Sequence, residues 1–166
     1  MALALAIDRE KLVATVLQGT ELASFSLVPA GTPDYTSPEI QHYNPDQARA
    51  LLAEAGYPRG QGWPGLEYLF NTSENHRRIA IALQQMWKEE LNIDISLLNQ
   101  EWKVYLDTSS EKNYQLARRG WIASDLNPAT FLDMFTSESG TNDTGFSNAR
   151  YDEIMLKRVP ETPQAA

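Results

Sequence analysis

Between Leu66 and Leu97 the spacing of apolar residues changes twice, and this restricts the possible folds more than any other feature of the chain. In LEYLF, Leu66, Tyr68 and Phe70 alternate with Glu67 and Leu69, the two-residue period of a strand. Ile79, Leu83, Met86, Trp87 and Leu91 then recur at steps of three and four, one face of a helix that Ser73 caps and Asn92 closes. Ile93, Ile95 and Leu97 return to alternation. A strand, a long helix and a strand predict a right-handed parallel crossover, so the class is α/β.

The flanking segments extend that alternation. Leu3, Ile7, Leu12, Val16 and Leu17 predict a single helix stopped by Gly19. Prolines at 29, 33 and 38 with Gly31 break any period from Thr20 to Tyr43, predicting a long surface connection or binding loop. Asn44-Pro45-Asp46-Gln47 is a helix start, with Asn44 as cap, Pro45 in the first helical position and Gln47 reaching back to the cap amide. Ala48, Leu51, Leu52 and Ala55 line that helix, and Gly56 with Pro58 ends it. A short helix over 101–108, a strand YQLARRGWI over 114–122, a helix opened by Asn127 and Pro128, and a last helix over 151–156 complete the series.

Charge and composition narrow the chemistry. The 166 residues carry a formal charge of −8, which disfavours nucleic acid and anionic membrane surfaces, because phosphate groups need a basic face. No cysteine is present, so disulfides, thiolate catalysis and Cys-built zinc sites are excluded. No stretch approaches the ~20 apolar residues of a membrane span, so direct membrane insertion is not expected. Nucleophile-elbow, zinc-protease, P-loop and dinucleotide motifs are missing. His42 and His76 have no metal-ligand partner at helical spacing, while Glu89 with Glu90 and Asp133 with Glu138 sit where surface carboxylates ordinarily do. No cofactor, no metal and no catalysis are expected.

In a parallel sheet, ligands bind where strands end and helices begin. Three places qualify. His76 falls in the first turn of the 74–91 helix; taken alone it also reads as an ordinary solvated residue. Trp102 follows the second strand, and core packing is its bland alternative, as it is for Trp121. The stretch ARRGWIASDLNP sets Arg118, Trp121 and Asp125 close together, which suggests one wall of a site for a small zwitterion. Strand alternation would send Arg118 and Arg119 to opposite faces.

The blocks ALALAIDREKLV, YNPDQARALLAEAGYP, NTSENHRRIAIALQQMWKEELNIDISLLNQEWKVYLDT, ARRGWIASDLNPATFLDMF and FSNARYDEIM together resemble the extracellular solute-binding proteins, family 5, of oligopeptide ABC importers. The resemblance runs from about Ala2 to Met155. It implies one lobe of a type II periplasmic-binding-protein-like fold, a mixed or parallel sheet flanked by helices, with residues 1–158 forming a single lobe and 159–166 a flexible polar tail. The abrupt opening and the polar ending fit the expectation of a piece of a longer two-lobed protein.

That resemblance further implies a periplasmic or extracellular, envelope-associated receptor that hands a peptide or small zwitterionic solute to the membrane subunits of an ABC transporter. By position, His76 and Arg118 match residues near the peptide carboxylate, and Trp102 and Trp121 match aromatic residues lining side-chain pockets. The main chain from Arg118 through Gly120 and Trp121 to Ile122, with Ala123 beyond, would pair with the ligand as an added strand. Ser124 stands where the family usually has an aspartate for the ligand ammonium, with Asp125 one step later, and Ser109 stands where some members carry a basic residue. The alternative is an interaction or dimerisation module using the exposed face.

Overall fold

The computed structural model describes residues 1–38, 40 and 42–158; the expected tail over 159–166 lies outside the described residues. These residues gather into two compact units, the first formed by residues 1–26 and 38–120, the second by residues 27–37 and the chain from Trp121 onward.

The first unit is built on a three-stranded parallel sheet of order β2-β1-β3, with β1 at Leu66–Asn71, β2 at Ile95–Gln100 and β3 at Leu116–Ala117. Helices α1 (Ala2–Leu5), α2 (Arg9–Thr15), α3 (Pro45–Glu54), α4 (Glu74–Leu91) and α5 (Trp102–Ser110) accompany it. The parallel β1-α4-β2 pairing follows the expected crossover, with Leu66 opposite Ile95 and Asn71 opposite Gln100.

Pleating sends Tyr68 and Phe70 to the α4 side, where they join Leu83, Trp87, Leu91 and Ile95 in the core together with Leu5 and Leu52. Trp87 packs edge-on to Tyr68, ring centroids 6.0 Å apart, and its indole N–H donates to the Leu3 carbonyl at 2.9 Å. The indole is thereby buried with its one polar group satisfied.

Four local expectations change. The single N-terminal helix is two: Asp8 accepts from the Lys11 amide at 2.9 Å and starts α2, while the Arg9 guanidinium donates to the Ala4 carbonyl at 3.2 Å behind α1. An N-cap inside the apolar period wins over the period itself. Asn44 does cap α3, accepting from the Gln47 amide at 3.0 Å, but its own amide donates to the Leu5 carbonyl, leaving Gln47 to meet only its side chain. Ser73 occupies the cap position of α4 without a side-chain hydrogen bond.

The fourth change concerns the strand expected over 114–122, which is ordered as a strand only at Leu116–Ala117. Tyr68 faces Leu116 and Leu69 faces Ala117, and the Arg118 amide makes one further bond to the Leu69 carbonyl at 2.8 Å. The ladder to β3 ends there, while the pairing of β1 with β2 runs on to the Thr72 amide at the Gln100 carbonyl, and α4 begins two residues later.

The second unit holds α6 (Pro128–Leu132), a 3₁₀ turn at Asp133–Phe135 and α7 (Ala149–Arg158) around buried Val28, Met134 and Met155. The Tyr151 hydroxyl donates to the Leu132 carbonyl at 2.7 Å, joining α7 to α6. Helix α7 is longer than the expected 151–156 because Asn148 accepts from the amides of Arg150 and Tyr151 and starts it early.

Gly60 provides the tightest backbone approach in the first unit. It sits at φ +73°, and a Cβ there would lie 2.3 Å from the Asn92 carbonyl oxygen, whereas Gly62, at φ +74°, faces open space. Gly62→Ala should cost about 1–2 kcal/mol, the left-handed backbone penalty alone. Gly60→Ala should cost at least about 3 kcal/mol, because the clash with backbone adds to that penalty. Equal denaturation midpoints for the two variants would contradict this packing.

Candidate functional site at the strand C-termini

Because both pairings of β1 are parallel, the C-terminal ends of all three strands, at Asn71, Gln100 and Ala117, lie on one edge of the sheet. The residues that follow each strand therefore arrive together: His76 in the first turn of α4, Trp102 at the first position of α5, and Arg118 to Gly120 after β3.

His76 is half-buried, and its Nδ1 lies 3.2 Å from the carbonyl oxygen of Asn71. A carbonyl only accepts, so Nδ1 carries the proton and Nε2 is left as an acceptor in the neutral ring. Burial, and then the Arg118 cation, hold the imidazole below its usual range; the Asn71 carbonyl and Glu21 oppose them.

Arg118 is half-buried and belongs to the α4 side by strand alternation, the side of Tyr68 and His76. Its guanidinium curls over Gly120, with both terminal nitrogens 3.4 Å from the place a Cβ would take. Trp102 is 54% exposed and stacks on Tyr105 at 5.7 Å and 19°. Tyr105 is buried, and its hydroxyl donates to the Arg118 carbonyl at 2.5 Å. Stacked indole, buried phenol and arginine backbone thus form one chain of contacts. Core packing, the bland alternative for Trp102, does not describe this indole.

Three residues of this edge were not singled out in the sequence. Tyr105 orients both Trp102 and the Arg118 backbone. Asn71 and Gln100 face each other in register, and Asn71 Oδ1 and Gln100 Oε1 are buried without a hydrogen-bond partner among the described residues. The legible signal was an amide residue closing each of two paired strands just before a helix.

The other candidates, Trp121 to Asp125, belong to the second unit and are organised by α6. The Trp121 indole donates to the Thr130 carbonyl at 2.9 Å. Asp125 accepts from the Asn127 amide and the Thr130 hydroxyl, each at 2.8 Å, and its other oxygen takes a 3.4 Å bond from Ser124. Asn127 in turn caps α6 through the Ala129 amide at 2.9 Å. Asp125 therefore serves the turn that begins α6. Ile122 is 96% exposed, Ala123 is half-buried, and neither lies in a strand. No group of three metal-ligating side chains occurs among the described residues.

The C-terminal edge of this parallel sheet is thus followed by an arginine, a histidine and an exposed indole, with β2 and β3 as its outer strands among the described residues. The chain belongs to the bacterial extracellular solute-binding proteins, family 5 (Middle), whose sequence pattern matches residues 1–143. The periplasmic murein peptide-binding protein MppA of Escherichia coli is 38% identical over 97% of this chain and 31% of its own length. A periplasmic oligopeptide-binding protein of Borrelia burgdorferi superposes with a TM-score of 0.86 at 34% identity, over 94% of this chain and 31% of that one. Haemophilus influenzae OppA in complex with the peptide RPPGFSPFR superposes with a TM-score of 0.84 at 33% identity, covering 94% and 32%. The chain thus spans about a third of the length of the relatives it matches.

Two outcomes test this geometry. Tyr105→Phe removes a donor from the Arg118 carbonyl and should lower stability by about 1 kcal/mol, measured by urea denaturation. Asp125 is held below its ordinary value of 3.8 by the Asn127 amide first and the Thr130 hydroxyl second. Its help to the α6 turn is therefore complete above that value and fades as pH falls through the depressed one. An Asn127 amide resonance that titrates with its midpoint below the ordinary 3.8 is expected, and one insensitive to acid would refute the contact.

Proposed function

We propose that the chain is the part of an ABC importer's receptor that holds one side of a peptide or peptide-like solute, outside the cytoplasm and without catalysis. The observation that supports this reading is that Arg118, just after β3, acts electrostatically on His76 in the first turn of α4, and that the outer edge of β3 carries no other strand among the described residues. An extended guest could lie along the main chain after β3 with its carboxylate toward the guanidinium, so that affinity depends little on side-chain identity. The matched relatives named for murein peptide and oligopeptide binding support the same class of ligand.

Ser124 stands where the resemblance leads one to expect a carboxylate for a ligand ammonium, and Asp125 is engaged by Asn127 and Thr130. Trp102, exposed and stacked on Tyr105, would offer its face to the guest's side chains. Exposure of Trp102 and Ile122 also favours a second reading, an interaction or dimerisation surface. Light scattering over a concentration series separates the two, since a monomer at every concentration removes the second.

Calorimetry on the complete protein that contains this chain tests the first reading. Tri-alanine should bind; Arg118→Ala should weaken it about tenfold, ~1.4 kcal/mol, and should leave tri-alanine amide nearly unchanged. Equal losses for acid and amide would remove Arg118 from the carboxylate site.

A further inference from the structure

We propose that the outer edge of β2 and the exposed stripe of α4 beside it form a two-fold contact with a second copy of the protein, in which the two β2 strands pair antiparallel. This surface lies at the opposite edge of the sheet from β3, and the inference does not depend on the receptor reading above.

The strand supplies the first half of the argument. The Gln100 carbonyl receives the Thr72 amide, so Gln100 faces β1. Backbone groups alternate in direction along a strand, which turns Ser96 and Leu98 to β1 and leaves the amides and carbonyls of Ile95, Leu97 and Asn99 pointing outward. A bond from α4 agrees with that direction, since Gln84 Nε2 donates to the Ile95 carbonyl at 2.6 Å. The outward groups of Leu97 and Asn99 meet no other strand among the described residues. An open edge is ordinarily protected by a charge, a proline or a bulge. Ile95-Ser96-Leu97-Leu98-Asn99-Gln100 contains neither charge nor proline and pairs with β1 residue for residue, without a bulge.

The helix supplies the second half. Between α4 and β2 lie two open depressions, one of about 420 Å³ with Leu97 and Asn99 on its strand wall, the other of about 470 Å³ with Ile93 and Ile95. Ile81, 45% exposed, lines both. Glu74, Arg77, Ile81, Gln85 and Lys88 are the exposed α4 residues along them, an apolar centre with an acid at one end and a base at the other. That order is self-complementary. A two-fold axis passing between Leu97 and its copy, and between Ile81 and its copy, brings Glu74 to Lys88 of the second copy. It also brings Arg77 to the second copy's Gln85, which holds Glu89 at 2.8 Å. Lys88 already bonds Asp94 at 2.9 Å, so Glu74 adds a second carboxylate to an exposed ammonium.

The spacing fits as well. Helix α4 packs on both β1 and β2. Strands about 4.8 Å apart, with one helix over each β1-β2 pair, put the two α4 axes about 10 Å apart, the distance at which helices pack. An unrelated strand laid on this edge gains the backbone bonds but not the charge pairs, and this favours a second copy.

The test is sedimentation velocity with light scattering on the complete protein that contains this chain, over a concentration series and without added peptide. The expected result is a monomer-dimer equilibrium that weakens with salt, because the Glu74-Lys88 pairs are exposed. Ile81→Lys sets two ammonium groups against each other at the axis and should raise the dissociation constant at least about tenfold. Glu74→Lys should also weaken the dimer, and Glu74→Lys combined with Lys88→Glu should restore it, a rescue that misfolding cannot imitate. Hydrogen exchange at the Leu97 and Asn99 amides should slow as protein concentration rises. A monomer at every concentration overturns the proposal. So does a dimer indifferent to Ile81→Lys and to the charge reversals, which places the contact on another face. Slow exchange at Leu97 and Asn99 in the monomer overturns it too, since another segment of the complete protein then occupies the edge. Binding of tri-alanine is read separately and stands or falls independently of these outcomes.

Discussion

Because β1 pairs in parallel with both of its neighbours, the three strands end at one edge, and His76, Trp102 and Arg118 follow them there. His76 and Trp102 lie 26 positions apart and Trp102 and Arg118 lie 16 apart, yet the sheet needs no long loop to bring them to one edge. Antiparallel pairing of any one strand would move its successor to the opposite edge. The hydrophobic face of Tyr68, Phe70, Trp87 and Ile95 holds the strands in this order. The core is thus the scaffold that gives the site its coordinates.

The edge itself is held by few contacts, each with two uses. Tyr105 lends its ring to Trp102 and its hydroxyl to the Arg118 carbonyl, so a buried residue sets both an exposed aromatic surface and the path of the main chain leaving β3. Asn71 gives its carbonyl to His76 while pairing with Gln100 in the ladder. In the second unit, Asp125 binds the Asn127 amide and the Thr130 hydroxyl, and Thr130 also receives the Trp121 indole through its carbonyl. A carboxylate so engaged belongs to its own turn as much as to any guest.

Elements set by strong periodicity were legible in the sequence. The strand at Leu66, the long helix closed by Asn92 and the helix opened by Asn44 and Pro45 all lie where apolar spacing and capping residues place them. The departures arise where a local hydrogen bond overrides the period. Asp8 divides what five apolar residues describe as one helix, and Asn148 lengthens the last one. The stretch from Tyr114 to Ile122 has the composition of a strand, but its ladder with β1 covers only Leu116 and Ala117, with one further bond from the Arg118 amide. Pairing is a property of two segments, and one sequence window shows only one of them. His76, Trp102 and Arg118 could be read from position and resemblance; Tyr105 could not, since its part depends on contacts to residues distant from any motif.

The indole of Trp87 fastens to the carbonyl of Leu3 across 84 positions of chain. That bond, and the burial of Leu5 against the same cluster, cannot form until most of α4 has been synthesised. Leu3 and Leu5 must therefore wait for a partner that emerges much later in synthesis. Such distant closure belongs to slow, late steps of folding. Helix α1 is thus held in place by contacts that only a much later stretch of chain can supply.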